Sequence, residues 1–567
     1  EFYANDANQF AAWRTSMSMG DWTRNSGGGT YYNMSIWLPS NSINTTPYQW
    51  WFVGACSNID DMYNKAMAAG AWSYAGVAKV IRAYGFMLMT DLYGEMPYTE
   101  ACGESAVPKY DTGKTIYIGC LKELDEGIEL LGKTQDVALP ALSVGDYWNG
   151  GDASKWLKFA YLLKARYCLK LSKKAAGSYL DGKYDATAIL DALSKGPQSN
   201  ADNTIIYHTD NNSTTHDVLG WDEPVDYSPL YSVCGMNSGY MVTQMLYNNL
   251  TNFAGYGVED PRADKIIPWT VSSQSDNSPA GVKWSGIWRR SLGVDITTSN
   301  SPNFSGGPLR AQFTNGKWNI NSTSAARLGD TVYVECTSTS KGYAADPDLF
   351  YRALKGNDAS RESGSFYSRV SSPSYIGTYA EACFIKAEVL FKTDKSGAFA
   401  AYKAGIKASM EQMNVSLSAW VAGDANLGTC PSFTPMTQAN MDNFLANGIG
   451  SVSDLTLGKI LTQKRIALQF SVEIWNDMRR YDYDPTLFLG WGTPAYHAMS
   501  APALIAIPAG STFRRWRQCS HELNYNTANL TAIGNEVPGA NMSDAAKCWN
   551  NYDNVWTIPV WWDSDQE

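Results

Sequence analysis

Two blocks of helical periodicity, about 59–174 and 377–481, constrain this chain most, because a 3.6-residue recurrence of apolar side chains commits a segment to an amphipathic helix. Residues 114–131 show it plainly. Ile116, Cys120, Leu124, Ile128 and Leu131 recur at spacings of four and three and line one face. Asp111 or Thr112 can cap the start of this helix, and Gly132 can end it. After Asp152, a second cap candidate, Trp156, Phe159, Ala160, Leu163 and Tyr167 share a face while Lys155, Lys158 and Lys164 fall on other sides. In the second block Phe399, Tyr402, Ile406, Met410 and Met413 mark one helix, and Ile460, Ala467, Phe470, Ile474 and Trp475 are spread along another. Each stripe has to be buried against a neighbour. The reading is therefore mainly α, a tetratricopeptide-like scaffold of helix pairs, although no strict repeat of that length recurs.

Between the blocks, residues 195–345 are rich in Ser, Asn, Thr, Gly and Trp, with one short helical candidate near 238–250. Long stretches without periodicity inside a compact domain are functional or disordered, and Trp221, Trp269, Trp284, Trp288 and Trp318 argue against disorder. Residues 20–51 have the same character. The expected organisation is one domain over 1–567, with loop-rich excursions at about 20–51 and 195–345 and an irregular C-terminal segment at 485–567.

Composition narrows the partners. Lys plus Arg is 45 and Asp plus Glu is 55, a net charge of −10 without a basic stripe, which disfavours a phosphate backbone as partner. No run approaches the ~18 to 20 apolar residues a spanning helix needs. The opening residues, EFYANDANQF, hold neither a basic-then-apolar signal nor a lipid-acceptor cysteine, so any export signal or anchor is expected outside this sequence. Ten cysteines stand singly, without CxxC or zinc spacing. Their even number permits disulfides in an exported protein, but Cys120, Cys168 and Cys383 sit among apolar neighbours in predicted helices, as buried free thiols do. Sequons such as those at Asn44, Asn249 and Asn529 arise by chance in an Asn-rich chain.

Catalytic motifs are scarce. The Gly113-Lys114-Thr115 triplet has Pro108 where a phosphate loop needs glycine, and Gly27-Gly28-Gly29 lacks the strand-to-helix context of a dinucleotide site. Four histidines form no HExxH, and no GxSxG elbow occurs. Glycoside hydrolysis needs only two carboxylates, and Asp91, Glu95 and Glu100 crowd DLYGEMPYTEA; Gly94 and Pro97 mark that segment instead as a helix end where carboxylates serve turns and caps. Arg479-Arg480 could meet an anion, but cations also suit the C-terminal end of a helix. No pattern calls for a cofactor, and none decides whether a metal is bound.

What remains is aromatic. Aromatics make up 13% of the chain, with 21 Trp and 34 Tyr, against only 18% charged residues. Sugar rings present apolar C–H faces and peptides present apolar side chains, so rings beside amides and carboxylates on polar segments form a platform for either. On that ground Trp22, Tyr32, Trp37, Trp221, Trp284 and Trp288 are the expected platform, with Asn33, Asn41 and Asp222 as hydrogen-bonding neighbours.

Several segments, in order, resemble the SusD/RagB family of surface lipoproteins that partner TonB-dependent outer-membrane transporters. MLMTDLYGEMPYTEA (87–101) followed by PKYDTGKTIYIGCLKELDEGIELL (108–131) is similar to the family's helix, turn, Pro-Tyr-Asp entry and next helix. GGDASKWLKFAYLLKARYCLKLS (150–172), YAEACFIKAEVLFK (379–392), QKRIALQFSVEIWNDMRRYDY (463–483) and VWWD (560–563) resemble its later helices and ending. The sequence departs at Glu95, where the family often has Asp, and in 513–526, which lacks a Pro before its Glu. The resemblance implies four tetratricopeptide-type helix pairs, a lipid-anchored position on the extracellular face of the bacterial outer membrane and a SusC-like barrel as partner. It further implies capture of oligosaccharides, or alternatively of oligopeptides, without any bond being changed. Because the family binds through variable loops, it assigns no ligand residue by motif.

Overall fold

The computed structural model describes residues 2–24, 34–37, 45–136, 138–208, 240–267, 293–297, 365–369, 371–423, 431–494, 510–537 and 554–566, with a few isolated positions and six short strands between 269 and 334. Its scaffold is carried by α1 (Phe2–Ser18), α2 (Ser57–Ala69), α3 (Trp72–Tyr93), α4 (Gly113–Leu131), α5 (Ala153–Lys170), α6 (Ala186–Lys195), α7 (Gln244–Thr251), α8 (Tyr379–Leu390), α9 (Lys395–Gly423), α10 (Gln438–Asn447), α11 (Leu457–Ala467) and α12 (Val472–Arg480).

The caps read from sequence are used. The Thr112 hydroxyl accepts from the Thr115 amide at 3.2 Å, and the Asp152 carboxylate accepts from the Ser154 and Lys155 amides at 2.8 and 3.2 Å. These bonds satisfy amides that the first helical turn leaves without partners. The stripe of α4 is buried at Ile116, Cys120, Leu124 and Leu131, and that of α5 at Trp156, Phe159, Ala160, Leu163 and Tyr167. Helices adjacent in sequence pack as pairs, α3 on α4, α5 on α6 and α8 on α9, while α8 also lies on α11. The α3–α4 approach depends on glycine: a Cβ at Gly76 would sit 2.6 Å from Leu131 Cγ and 3.1 Å from the Gly127 carbonyl oxygen.

Buried charges join the two blocks. The Arg166 guanidinium of α5 forms a two-point pair with Glu381 of α8 at 2.6 and 2.7 Å. Arg480 of α12 pairs with Glu388 of α8 at 2.7 and 3.0 Å, and Lys170 of α5 reaches Asp91 of α3 and, at 3.0 Å, Glu473 of α12. One apolar core runs through both blocks. It takes in α1, whose Trp13 and Met17 are buried and which packs on the π-helix Trp50–Cys56 and on α12. The helical periodicity of the sequence starts only at about 59 and does not disclose this helix.

Strands occur where loops return. Trp22–Arg24 pairs antiparallel with Tyr240–Val242, and Thr204–Ile206 with Ser374–Gly377. The 195–345 excursion is not wholly irregular: Trp269–Val271, Trp288–Ser291 and Val332–Val334 form one three-stranded sheet, and Ala311–Thr314, Lys317–Ile320 and Ala326–Leu328 another. The C-terminal segment carries two short helices, Ser520–Tyr525 and Thr527–Gly534.

Candidate functional site

Described residues of the 20–51 and 195–345 excursions meet at one seam. In the antiparallel ladder Trp22 faces Val242, Thr23 faces Met241 and Arg24 faces Tyr240. Thr243 continues the seam, its hydroxyl donating to the Gly20 carbonyl at 2.6 Å and its amide to the Asp21 carbonyl at 3.1 Å. The same hydroxyl accepts from the Leu246 amide and so caps α7. A third segment joins through Val294, whose amide donates to Val242 O at 2.9 Å and whose carbonyl accepts from Gln244 N at 2.7 Å. Residues 20–24, 240–244 and 293–297, far apart in sequence, thus form one junction.

The junction is seated on the turn between α11 and α12. Arg465 donates to the Asp21 carboxylate at 2.6 Å and to Met19 O at 2.6 Å. Burial pushes the Asp21 carboxyl above its usual range, and the Arg465 charge opposes that rise. Trp22 stacks on Phe470, with ring centroids 5.6 Å apart and planes 20° apart, and donates from Nε1 to Gln469 Oε1 at 3.1 Å. Phe470 holds a left-handed φ of 59°, a costly conformation for an aromatic residue that the packing around it maintains.

The structure places the expected platform residues unequally. Trp22 and Trp37 are only 1% and 2% exposed. Trp37 donates from Nε1 to Ser18 O at 2.7 Å and packs its ring against Tyr483 and Trp491. Neither indole presents a face to a ligand, so at these two positions the expectation gives way to core packing. Trp288 opens a strand whose register sets it opposite Val271, with Trp269 opposite Arg290 in the same ladder. Tyr32, Asn33, Asn41, Trp221, Asp222 and Trp284 lie outside the described residues. Sequence reasoning missed the seam itself. Thr243 and Val294 carry no motif, and pairing across about fifty residues at Val294 and 223 at Thr243 leaves no local trace.

The alternative chemistries lose their residues to structure. Asp91 takes Lys170 and, at 2.8 Å, the Asn476 amide; Glu95 takes Arg515 at 2.6 Å; Glu100 accepts from the Lys109 amide at 2.9 Å. Arg479 donates to the carbonyls of Asp91 and Arg514, both at 2.7 Å, and lies over the Trp475 ring, while Arg480 is spent on Glu388 and Asp477. Among the described residues no group of three His, Cys, Asp or Glu could hold a metal, and no helix is long and apolar enough to cross a membrane. Two cavities open elsewhere. One of about 590 Å³ is lined by polar groups including Glu259, Asp264, Thr434, Thr437 and Asn440. The other, about 540 Å³, lies between α6, α8 and α9 against Leu190, Tyr379, Lys386 and Asp394.

The helix-pair scaffold thus gathers residues 20–24, 240–244 and 293–297 over its core. The chain belongs to the SusD-like family: the family model described as "Starch-binding associating with outer membrane" matches residues 3–305 and 324–503. Its fold is shared with solved structures of low identity. A SusD/RagB family protein from Bacteroides thetaiotaomicron has a TM-score of 0.65 at 19% identity, covering 100% of this chain and 99% of that one. A structure titled as a chitin-binding protein reaches 0.62 at 19%, covering 99% and 97%. A chitin-binding SusD homolog from Flavobacterium johnsoniae reaches 0.59 at 19%, covering 100% and 99%. No curated protein sequence matches the chain.

Proposed function

We propose that this chain is a cell-surface nutrient-binding protein that captures oligosaccharides in its loops and delivers them to a SusC-like TonB-dependent barrel of the outer membrane. The observation that carries the reading is the junction of residues 20–24, 240–244 and 293–297, which brings segments of both aromatic-rich excursions together on a buried, ion-paired core. Loops rooted together can close on one ligand, and a seat that does not deform lets their ordering be spent on recognition. Tyr32, Trp221, Trp284 and Trp288 supply ring faces, and Asn33, Asn41 and Asp222 meet hydroxyls at the ring edges; Trp22 and Trp37 support them from beneath. The starch-binding description of the family and the chitin-binding relatives favour a glycan over an oligopeptide. No bond changes in this mechanism, in keeping with the commitment of Asp91 and Glu95 to internal ion pairs. An N-terminal lipid anchor holds the protein on the extracellular face, where closure over the barrel encloses the cargo.

Native mass spectrometry of the protein purified from its own membrane, followed by calorimetric titration with malto- and chito-oligosaccharides and with a mixed peptide digest, tests this. Mass steps of one sugar unit and saturable glycan binding are expected. A heterogeneous series of peptide masses, with no glycan heat, would replace the glycan by peptides.

A further inference from the structure

Six described cysteines are thiols: Cys56, Cys102, Cys120, Cys168, Cys383 and Cys519. Two of them meet. The Cys102 thiol donates to the Phe52 carbonyl oxygen, with Sγ 3.5 Å away, and Phe52 lies about one turn ahead of Cys56 on the π-helix Trp50–Cys56. A helical side chain points back over the preceding turn, so Cys56 projects toward the spot that Cys102 Sγ occupies. The two thiols hydrogen bond to each other. Cys56 is buried and Cys102 is exposed, in a turn that holds Cys102 at a left-handed φ of 55°. π-Turns and left-handed non-glycine residues are local costs that structures keep where they serve a purpose.

The geometry points to a disulfide between Cys56 and Cys102, formed when the folded chain meets a disulfide oxidant outside the cytoplasm. The exposed Cys102 thiolate attacks one sulfur of the oxidant's disulfide and stays bonded to it as a mixed disulfide, while the S–S bond breaks and the oxidant's other sulfur leaves as a thiolate that takes up a proton. Cys56 then loses its proton and attacks Cys102 Sγ, expelling the second thiol. Two cysteine thiols and one disulfide thereby become one protein disulfide and two thiols, the two electrons passing to the oxidant. The order of attack follows from the site. The hydrogen bond with Cys56 holds the Cys102 thiol below its usual range, while the same contact and then burial push Cys56 up. The bond would tie the helix through which the 20–51 excursion re-enters the scaffold to the turn joining α3 and α4. It would fix one end of a loop without touching the ligand, so it stands whether or not the nutrient-binding reading does.

The test uses the full chain, incubated folded with glutathione disulfide, alkylated with N-ethylmaleimide under denaturing conditions without reductant, and mapped by peptide mass spectrometry. Expected is a linked peptide pair containing Cys56 and Cys102, lighter by two hydrogen atoms than its reduced parts. It should be split by reductant and be absent from Cys102→Ser. Maleimide on both cysteines after oxidation, a glutathione adduct that persists on Cys102, or either residue linked to a different cysteine would each overturn the assignment.

Discussion

Replacing Trp22 separates the two roles an aromatic residue can have at a loop root. Its indole is 1% exposed, stacked on Phe470 and bonded to Gln469. Truncating a buried Trp to Ala costs about 3–5 kcal/mol, in which the ring pair accounts for roughly 1 kcal/mol and the hydrogen bond for about as much. With an unfolding entropy near 2 cal/mol/K per residue, a chain of 567 residues would lose only about 3 °C in Tm for roughly 4 kcal/mol, so scanning calorimetry must be paired with a denaturant midpoint. Trp22→Phe keeps most of the buried area and loses the N–H, and should cost about 1–2 kcal/mol, chiefly from leaving Gln469 Oε1 without its donor. Glycan affinity of Trp22→Phe, measured well below the transition, should stay within about twofold of wild type, since about 0.4 kcal/mol is a factor of two. A Trp22→Ala protein with an unchanged denaturant midpoint and lost glycan binding would refute the reasoning and return this indole to the ligand.

The converse holds at Trp284 and Trp288: replacing each by Ala should leave the unfolding midpoint in place and weaken glycan binding roughly fivefold or more in titration calorimetry, as expected for loss of about 1 kcal/mol or more of ring contact. Arg166→Met strands the buried Glu381 carboxylate and should cost about 3–5 kcal/mol in denaturant unfolding, and adding Glu381→Leu should recover most of it; equal damage in both variants would contradict the pairing. Burial alone would raise the Asp477 carboxyl, but Lys464 and Arg480 outweigh it and hold the group below its usual range. A depressed carboxylate stabilises above the unfolded pKa of about 4 and loses that contribution as pH falls toward the folded value, so the stability gap between wild type and Asp477→Asn should shrink between about pH 5 and 3. If the Cys56–Cys102 bond forms, its loop of 47 residues, counted from 56 to 102, should add roughly 4 kcal/mol that reductant removes.

What the sequence made legible was what periodicity encodes. α4 and α5 came out with their caps at Thr112 and Asp152 because an apolar stripe and a capping side chain are both local signals. α1 did not, since Ala4, Asn5, Asp6, Ala7 and Gln9 are buried all round and a helix surrounded on every side shows no stripe. Trp22 and Trp37 were misplaced for a related reason. Polar, glycine-rich neighbours made them look like loop residues in water, whereas the backbone at those points dips into the core, and the partners that bury them, Gln469, Phe470, Tyr483 and Trp491, lie more than four hundred residues away. The charged segment DLYGEMPYTEA looks like a cluster of acids because its counter-ions, Lys170 and Arg515, lie 79 and 420 residues away.

Those remote pairs also set a timetable. Asp21 waits for Arg465, Glu95 for Arg515, and Lys173 for Asp563 near the far end of the sequence. A polypeptide threaded through a translocation pore with its N-terminus leading would therefore emerge with its first helices unable to complete their ion pairs, their buried carboxylates hydrated until the C-terminal segment follows. Closing contacts of such sequence separation slows folding, which favours keeping the chain open during passage and postpones the final lock to the destination side.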